Sequence, residues 1–352
     1  MSEKFLTEGG WASLKTQTTL IKPKIIKNAV EKINQIEKSF NKHLIKIGFP
    51  EMEFLKPVGS GTWYEKDIES NPDKVYGDID YNIMYPVLKD EQKSERENEL
   101  NTLKIYNAEL LSFLKSEKFD FIDLEESEQA SKPTSVKLIL KVETEEGEGW
   151  VQIDFIPTHE KYKDWTVFRY TPVYGVKGFV LGNLYSTFGD MFDISIQGRG
   201  VRAKFTADDK IVSYAKRKDV EDRLVTSNPD KFMHEIARFV WEKSTDQPYK
   251  ESDSLKKWKG LDKSNPTIED LCAGIKAIAD TLSQLDNFGT VIKYKSKKQF
   301  IDELIEAYTS KMQNTIDSKK FDKAESEQAI NAAEKTKALA REYIEKVTDL
   351  LK

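Results

Sequence analysis

Tyr76-Gly77-Asp78-Ile79-Asp80-Tyr81-Asn82-Ile83 is the stretch on which the reading of this chain turns. In an extended strand, residues two apart share a face. Asp78 and Asp80 therefore project side by side, while Ile79, Tyr81 and Ile83 can enter a core. Two carboxylates on one face repel each other unless a cation lies between them. The pairing is a reason to expect a divalent ion here; a solvated strand edge is the alternative reading.

Two neighbours in the sequence extend the pattern. Downstream, Val151-Gln152-Ile153-Asp154-Phe155-Ile156 again sets an aspartate between apolar residues in a strand-like run. If that strand lies beside the first, Asp154 completes a cluster of three carboxylates able to hold two metal ions. Upstream, Val58-Gly59-Ser60-Gly61-Thr62-Trp63 reads as a glycine-serine turn after a strand. Such a turn lets backbone N–H groups approach a phosphate, with the Ser60 hydroxyl as a further donor. Each signal is weak alone, and it is their order and strand context that make a site hypothesis.

Gly59-Ser60, then Asp78-Ile79-Asp80, then Asp154 between apolar residues resembles the signature of the DNA polymerase beta-like nucleotidyltransferase superfamily. The resemblance covers about residues 25 to 200. It implies an α+β fold: a palm with a mixed β-sheet flanked by helices, followed by an all-helical C-terminal domain. It also implies that Asp78, Asp80 and Asp154 are catalytic and bind two Mg2+ (or Mn2+) ions. Gly59 and Ser60 would hold the triphosphate. The implied reaction moves a nucleoside monophosphate from a nucleoside triphosphate, ATP being the expected donor, to an acceptor hydroxyl. Members include poly(A) polymerases, CCA-adding enzymes, oligoadenylate and cyclic-dinucleotide synthases and small antibiotic-modifying enzymes. The spacer from Ser60 to Asp78 is longer than in most members, with the extra length around Glu65 to Lys74. In that respect the chain is similar to phage-encoded and bacterial members, and loops are where added length is tolerated.

Composition narrows the chemistry further. The 352 residues are 38% hydrophobic and 33% charged, with a formal net charge of −5. One cysteine, Cys272, and three scattered histidines, His43, His159 and His234, cannot build a zinc site of the usual kind. Any metal must be held mainly by carboxylates, which favours hard ions. No apolar run is long enough to span a bilayer, and Met1-Ser2-Glu3-Lys4-Phe5 has no signal-peptide core. The expectation is a cytoplasmic protein without a membrane partner.

Along the chain, helical spacing of apolar residues runs from Lys24 to Ile47, and a charged helix from about Glu91 to Lys115 has Leu100, Leu103, Leu110 and Leu114 as its inner face. Strands are expected at Met52–Val58, Asp78–Tyr85, Val136–Val142 and Trp150–Ile156. Strand signals nearly vanish beyond about residue 205. Asn228-Pro229 and Asn265-Pro266 read as helix starts, and Phe300–Met312 and Lys323–Leu351 as the last helices. The expected division is a catalytic palm domain over 1–205 and a helical domain over 206–352.

Supporting residues carry two readings each. Lys177 follows Asp154 closely and could neutralise a phosphate, and Asn183 could contact the sugar; a surface lysine and a helix asparagine are equally ordinary. His159 could act as a base, or be an exposed turn residue. Trp63 and Tyr64 could stack a base, or pack. Arg199, Arg202, Lys204, Lys210, Lys216, Arg217, Lys218 and Arg223 form a basic cluster that could meet an RNA backbone or be solvated charge interleaved with acids. The sequence expectation for the acceptor is an RNA 3′ end, tRNA included, extended without a template. A second-messenger synthase joining nucleotides to each other, or a transferase modifying a small molecule or protein, are the alternatives.

Overall fold

The computed structural model describes residues 21–76, 79–145, 147–171, 178–215, 218–261, 267–285, 296–317 and 327–352. Asp78 and Lys177 lie outside the described residues, and of Ser60 only the backbone is described. The chain divides into two compact units, Met1–Lys163 and Asp164–Lys352. That division falls well before the 205/206 boundary read from the sequence. Residues 164–205 belong with the second unit.

The first unit opens on α1 (Pro23–Lys46), whose first turn carries proline where no N–H is needed. Ile26, Ala29, Ile33, Ile36, Phe40 and Leu44 recur at helical spacing and are fully buried. Strands β1 (Glu53–Val58) and β2 (Ile79–Tyr85) are separated by a 3₁₀ turn (Gly59–Trp63) and α2 (Tyr64–Ser70). The next elements are α3 (Glu95–Glu117), β3 (Ile122–Asp123), α4 (Leu124–Ala130), and the hairpin of β4 (Lys137–Thr144) and β5 (Gly147–His159). The sheet order is β1-β2-β5-β4-β3, with β2 and β5 parallel and the other neighbours antiparallel. This is the mixed, helix-flanked α+β sheet expected from the sequence. Ile79, Tyr81 and Ile83 of β2, Val151, Ile153 and Phe155 of β5, and Leu138, Leu140 and Val142 of β4 share one core with α1. The opposite face of these strands is left for the polar residues in between.

Helix α3 departs from its expected inner face. Leu103, Leu110 and Leu114 are buried, but Leu100 is 41% exposed. The buried arc centres on Tyr106, Leu110 and Phe113, and at 3.6 residues per turn Leu100 lies roughly 100° away. The helix also begins later than expected, because Ser94 and Glu97 form a reciprocal capping box: Ser94 N–H donates to Glu97 Oε2 at 2.9 Å, and Glu97 N–H to Ser94 Oγ at 3.3 Å.

The second unit contains α5 (Lys163–Tyr170, its first residue in the first unit), α6 (Gly178–Asp190) and a four-stranded antiparallel sheet. Its strands are β6 (Ile194–Gln197), β7 (Gly200–Phe205), β8 (Ile211–Val212) and β9 (Glu221–Thr226). Two of these strands lie past residue 205, where strand signals are faint: β8 has only two residues, and β9 buries only Thr226. Helices follow: α7 (Phe232–Ser244), α8 (Asp253–Lys257), α9 (Ile268–Leu282), α10 (Lys297–Ile316) and α11 (Glu327–Leu351). Asn228 does not cap α7. Its Oδ1 accepts from Asp230 N–H at 3.0 Å, so Asn228-Pro229 makes a turn and the helix starts later. The α9 cap is Thr267, which accepts from Asp270 N–H at 3.1 Å; Asn265-Pro266 lie outside the described residues.

Candidate active site

Parallel pairing of β2 and β5 makes Asp80 and Asp154 direct Cα partners. Val58 of β1 is the partner of Asp80 on one side, and Lys137 of β4 is the partner of Asp154 on the other. One row across four strands therefore reads Val58, Asp80, Asp154, Lys137. Adjacent strands are about 4.8 Å apart, so the two carboxylates stand close together. Both residues are half-buried, on the face opposite the α1 core. The side-by-side arrangement of Asp80 and Asp154 that the sequence reading required is present.

Gly59 follows Val58 directly and adopts φ +60, in the left-handed region. A Cβ at this position would lie 2.8 Å from Asp80 Oδ2. Glycine is needed here for both reasons: the backbone turns, and it passes against the carboxylate. Thr62 Oγ1 donates to Gly59 O at 2.9 Å and holds the turn.

The long spacer beyond the turn is pinned by Asp67. Its carboxylate is fully buried and accepts from Tyr76 Oη at 2.5 Å, Lys74 Nζ at 2.6 Å and Asn71 Nδ2 at 3.3 Å. The chain is thereby fixed at Asn71, Lys74 and Tyr76. A charge in the middle of a polar insertion gives no hint in sequence that it is an internal anchor.

Asp154 has two donors. Lys137 Nζ lies 2.5 Å from Oδ2, and Gln152 Nε2 donates to Oδ1 at 2.6 Å. Lys137 is not legible as a partner from sequence, because its contact depends on the β4–β5 register; Gln152, two residues before Asp154 on the same strand, shares its face by the period-two rule. Further along the same face Thr158 Oγ1 donates to Asn82 Oδ1, and Asn82 Nδ2 is buried with no partner among the described residues.

The remaining candidates lie elsewhere. Asn183 is on α6 in the second unit, with Nδ2 at 3.4 Å from Met312 Sδ and 3.5 Å from Thr315 Oγ1, so its amide is directed at α10. His159 Nδ1 accepts from Lys161 N–H at 2.8 Å and caps a short turn. Tyr64 is buried, donates to Glu65 Oε1 at 3.1 Å, and burial followed by the Glu65 charge pushes its phenol up to about 12. It packs rather than presents a stacking face.

Two arginines of the basic cluster are paired with acids within their own unit. Arg202 Nε donates to Asp222 Oδ1 at 2.8 Å, and Arg223 contacts Asp209 and Glu221. Lys243 and Arg223 together hold the Asp209 carboxyl below its ordinary range. Lys204 Nζ donates to Tyr214 O at 2.7 Å. Lys216 and Arg217 lie outside the described residues. Around Arg202 and Arg223 the charge is interleaved with acids.

Among the described residues no group of three His, Cys, Asp or Glu side chains could hold a metal, and no helix is long and apolar enough to cross a membrane. The donors that stand together, Asp80 and Asp154, are carboxylates, which suit hard divalent ions. Each carboxylate oxygen has two lone pairs, so the single donors on Asp154 leave its oxygens able to ligate. The residues fit Mg2+ or Mn2+. A cavity of about 390 Å³ in the same unit is bordered by Glu51, Glu53 and Glu160, beside Met84 of β2.

No family model matches this chain, and no curated protein matches it. Among solved structures it is similar to polymerase beta of Leishmania infantum in a ternary P/T complex. The two share 15% identity, the match covering 52% of this chain and 57% of that chain with a TM-score of 0.31. The match thus spans little more than half of that structure. So distant a likeness assigns no function.

Proposed function

We propose that the protein is a metal-dependent nucleotidyltransferase, with Asp78, Asp80 and Asp154 as its carboxylates and the Gly59-Ser60 turn as its phosphate cradle. The observation that carries the reading is the register that makes Asp80 and Asp154 Cα partners, with Gly59 backed onto the Asp80 carboxylate. The motif order in the sequence supports it. When bound, divalent ions would neutralise the triphosphate and favour loss of the acceptor's proton.

The chain's own residues have separable tasks in this account. Asp80 and Asp154 fix the metal-binding oxygens on rigid strands, and Asp78 adds a third carboxylate from the residue before β2. The turn at Gly59-Ser60 offers backbone N–H groups to the phosphates. In the reaction the acceptor oxygen bonds to the α-phosphorus, the bond to the bridging oxygen breaks, and pyrophosphate leaves. The hydroxyl proton passes to water. Transfer of this kind depends mostly on positioning and charge neutralisation. Neither His159 nor Asn183 has a task in this transfer.

For the acceptor, a second nucleotide is favoured over an RNA 3′ end by one observation. Arg202, one of the expected RNA contacts, is committed to Asp222, and Arg223 further along the basic cluster to Asp209 and Glu221. Joining two nucleotides needs no long basic track. The test is incubation of the purified protein with each α-labelled triphosphate and Mg2+ or Mn2+, with and without total RNA. Labelled products formed without RNA are expected. Label appearing only on RNA would identify RNA as the acceptor, and absence of transfer under every condition would refute the reading.

A further inference from the structure

The proposed chemistry leaves one charged residue of the row without a task. Lys137 is the Cα partner of Asp154, and its Nζ lies 2.5 Å from Oδ2, both side chains being about one-fifth exposed (21% and 20%). A lysine stem is long enough to carry its charge out to water. Here the ammonium is turned back onto the carboxylate instead. Gln152, 2% exposed, takes the other oxygen. Across β2, β5 and β4 the face therefore carries acid, acid, base.

A fixed cation beside a ligating carboxylate has two opposite effects. It holds the carboxylate in one orientation, which removes side-chain freedom before a metal arrives. It also repels any divalent ion that approaches the same oxygens. From this geometry we infer that Lys137 is a positioning residue for Asp154 that keeps the affinity for a free divalent ion low, so that the ion is taken up together with a triphosphate. The polyanionic triphosphate brings the negative charge that offsets the lysine. Gln152 lacks this second effect, because it orients Asp154 without a charge. The inference rests on the nucleotidyltransferase reading, since it needs Asp80 and Asp154 to be metal ligands.

The test is Mn2+ titration of the nucleotide-free full chain, with free Mn2+ read by electron paramagnetic resonance. Lys137→Met removes the charge and keeps most of the stem, Lys137→Gln is neutral but keeps a donor for Asp154, and Lys137→Arg keeps the charge. Both neutral variants are expected to bind Mn2+ about tenfold more tightly than wild type, the size of a unit charge acting on a divalent ion through a water-like dielectric. Lys137→Arg should match wild type. A lysine that only orients Asp154 would, on neutralisation, loosen metal binding or leave it unchanged, and having two neutral variants guards against one that fails to fold. If Asp80→Asn loses Mn2+ binding while both neutral variants bind no tighter than wild type, the inference is overturned and the reading of the site stands. If Asp80→Asn binds as wild type does, or no variant binds Mn2+ at all, both are overturned.

Discussion

Gly59 is where a one-carbon change separates backbone strain from damage to the site. Alanine at φ +60 costs about 1–2 kcal/mol, because its Cβ crowds the backbone in the left-handed region. The same Cβ would sit 2.8 Å from Asp80 Oδ2, closer than real Cβ contacts, so the carboxylate must swing away. Gly48 provides the control: it adopts φ +80 after α1, with no atom within 4 Å of a built Cβ. Urea unfolding should show a loss of about 1–2 kcal/mol in each variant from the backbone alone. Nucleotide transfer should separate them. Gly59→Ala is expected to lose at least about tenfold in turnover, equivalent to about 1.4 kcal/mol of transition-state stabilisation, whereas Gly48→Ala keeps wild-type turnover. Wild-type turnover in Gly59→Ala would refute the argument that Asp80 must occupy its observed position.

Asp67→Ala should destabilise the protein by about 3 kcal/mol in urea unfolding, since it removes a buried acceptor shared by Tyr76 and Lys74. Glu37 accepts from Phe54 N–H at 2.8 Å, and burial, more than the nearby Glu53 charge, raises its pKa in the folded state. A carboxyl raised on folding penalises the folded state where it is ionised, and the penalty is relieved as pH falls through the folded pKa. Glu37→Gln is therefore expected to be more stable than wild type in urea at about pH 7.5, with the gap closing towards about pH 4. Burial, then the Glu269 charge, pushes the Cys272 thiol up to about 12, so a thiol reagent should label it only after denaturation.

The central strands were legible in the sequence because period-two alternation around Asp80 and Asp154 separates a core face from a polar face. Helix α1 was legible from its buried Ile, Ala, Phe and Leu series. Strands β8 and β9 were not, because a two-residue strand and one that buries only Thr226 leave no hydrophobic signature. The late start of α3 was available in Ser94-x-x-Glu97, but the charged run around it hides the capping box. In the candidate site, the proximity of Asp80 to Asp154 followed from the two motifs once their strands were assumed adjacent. Lys137 could not be found this way, since only the β4–β5 register brings it to Asp154. The pairing of Arg202 with Asp222 was equally hidden, because the two are joined by the β7–β9 ladder.

Metal-dependent binding of a triphosphate bears most directly on the central claim, because it requires no knowledge of the acceptor. Isothermal titration of a non-hydrolysable nucleoside triphosphate into wild type, Asp80→Asn and Asp154→Asn, each with Mg2+ and with chelator, makes the comparison. The account predicts binding by wild type only with Mg2+, weakened at least about tenfold in either variant, equivalent to about 1.4 kcal/mol. Equal affinity in all three proteins, or binding that ignores the metal, would contradict it.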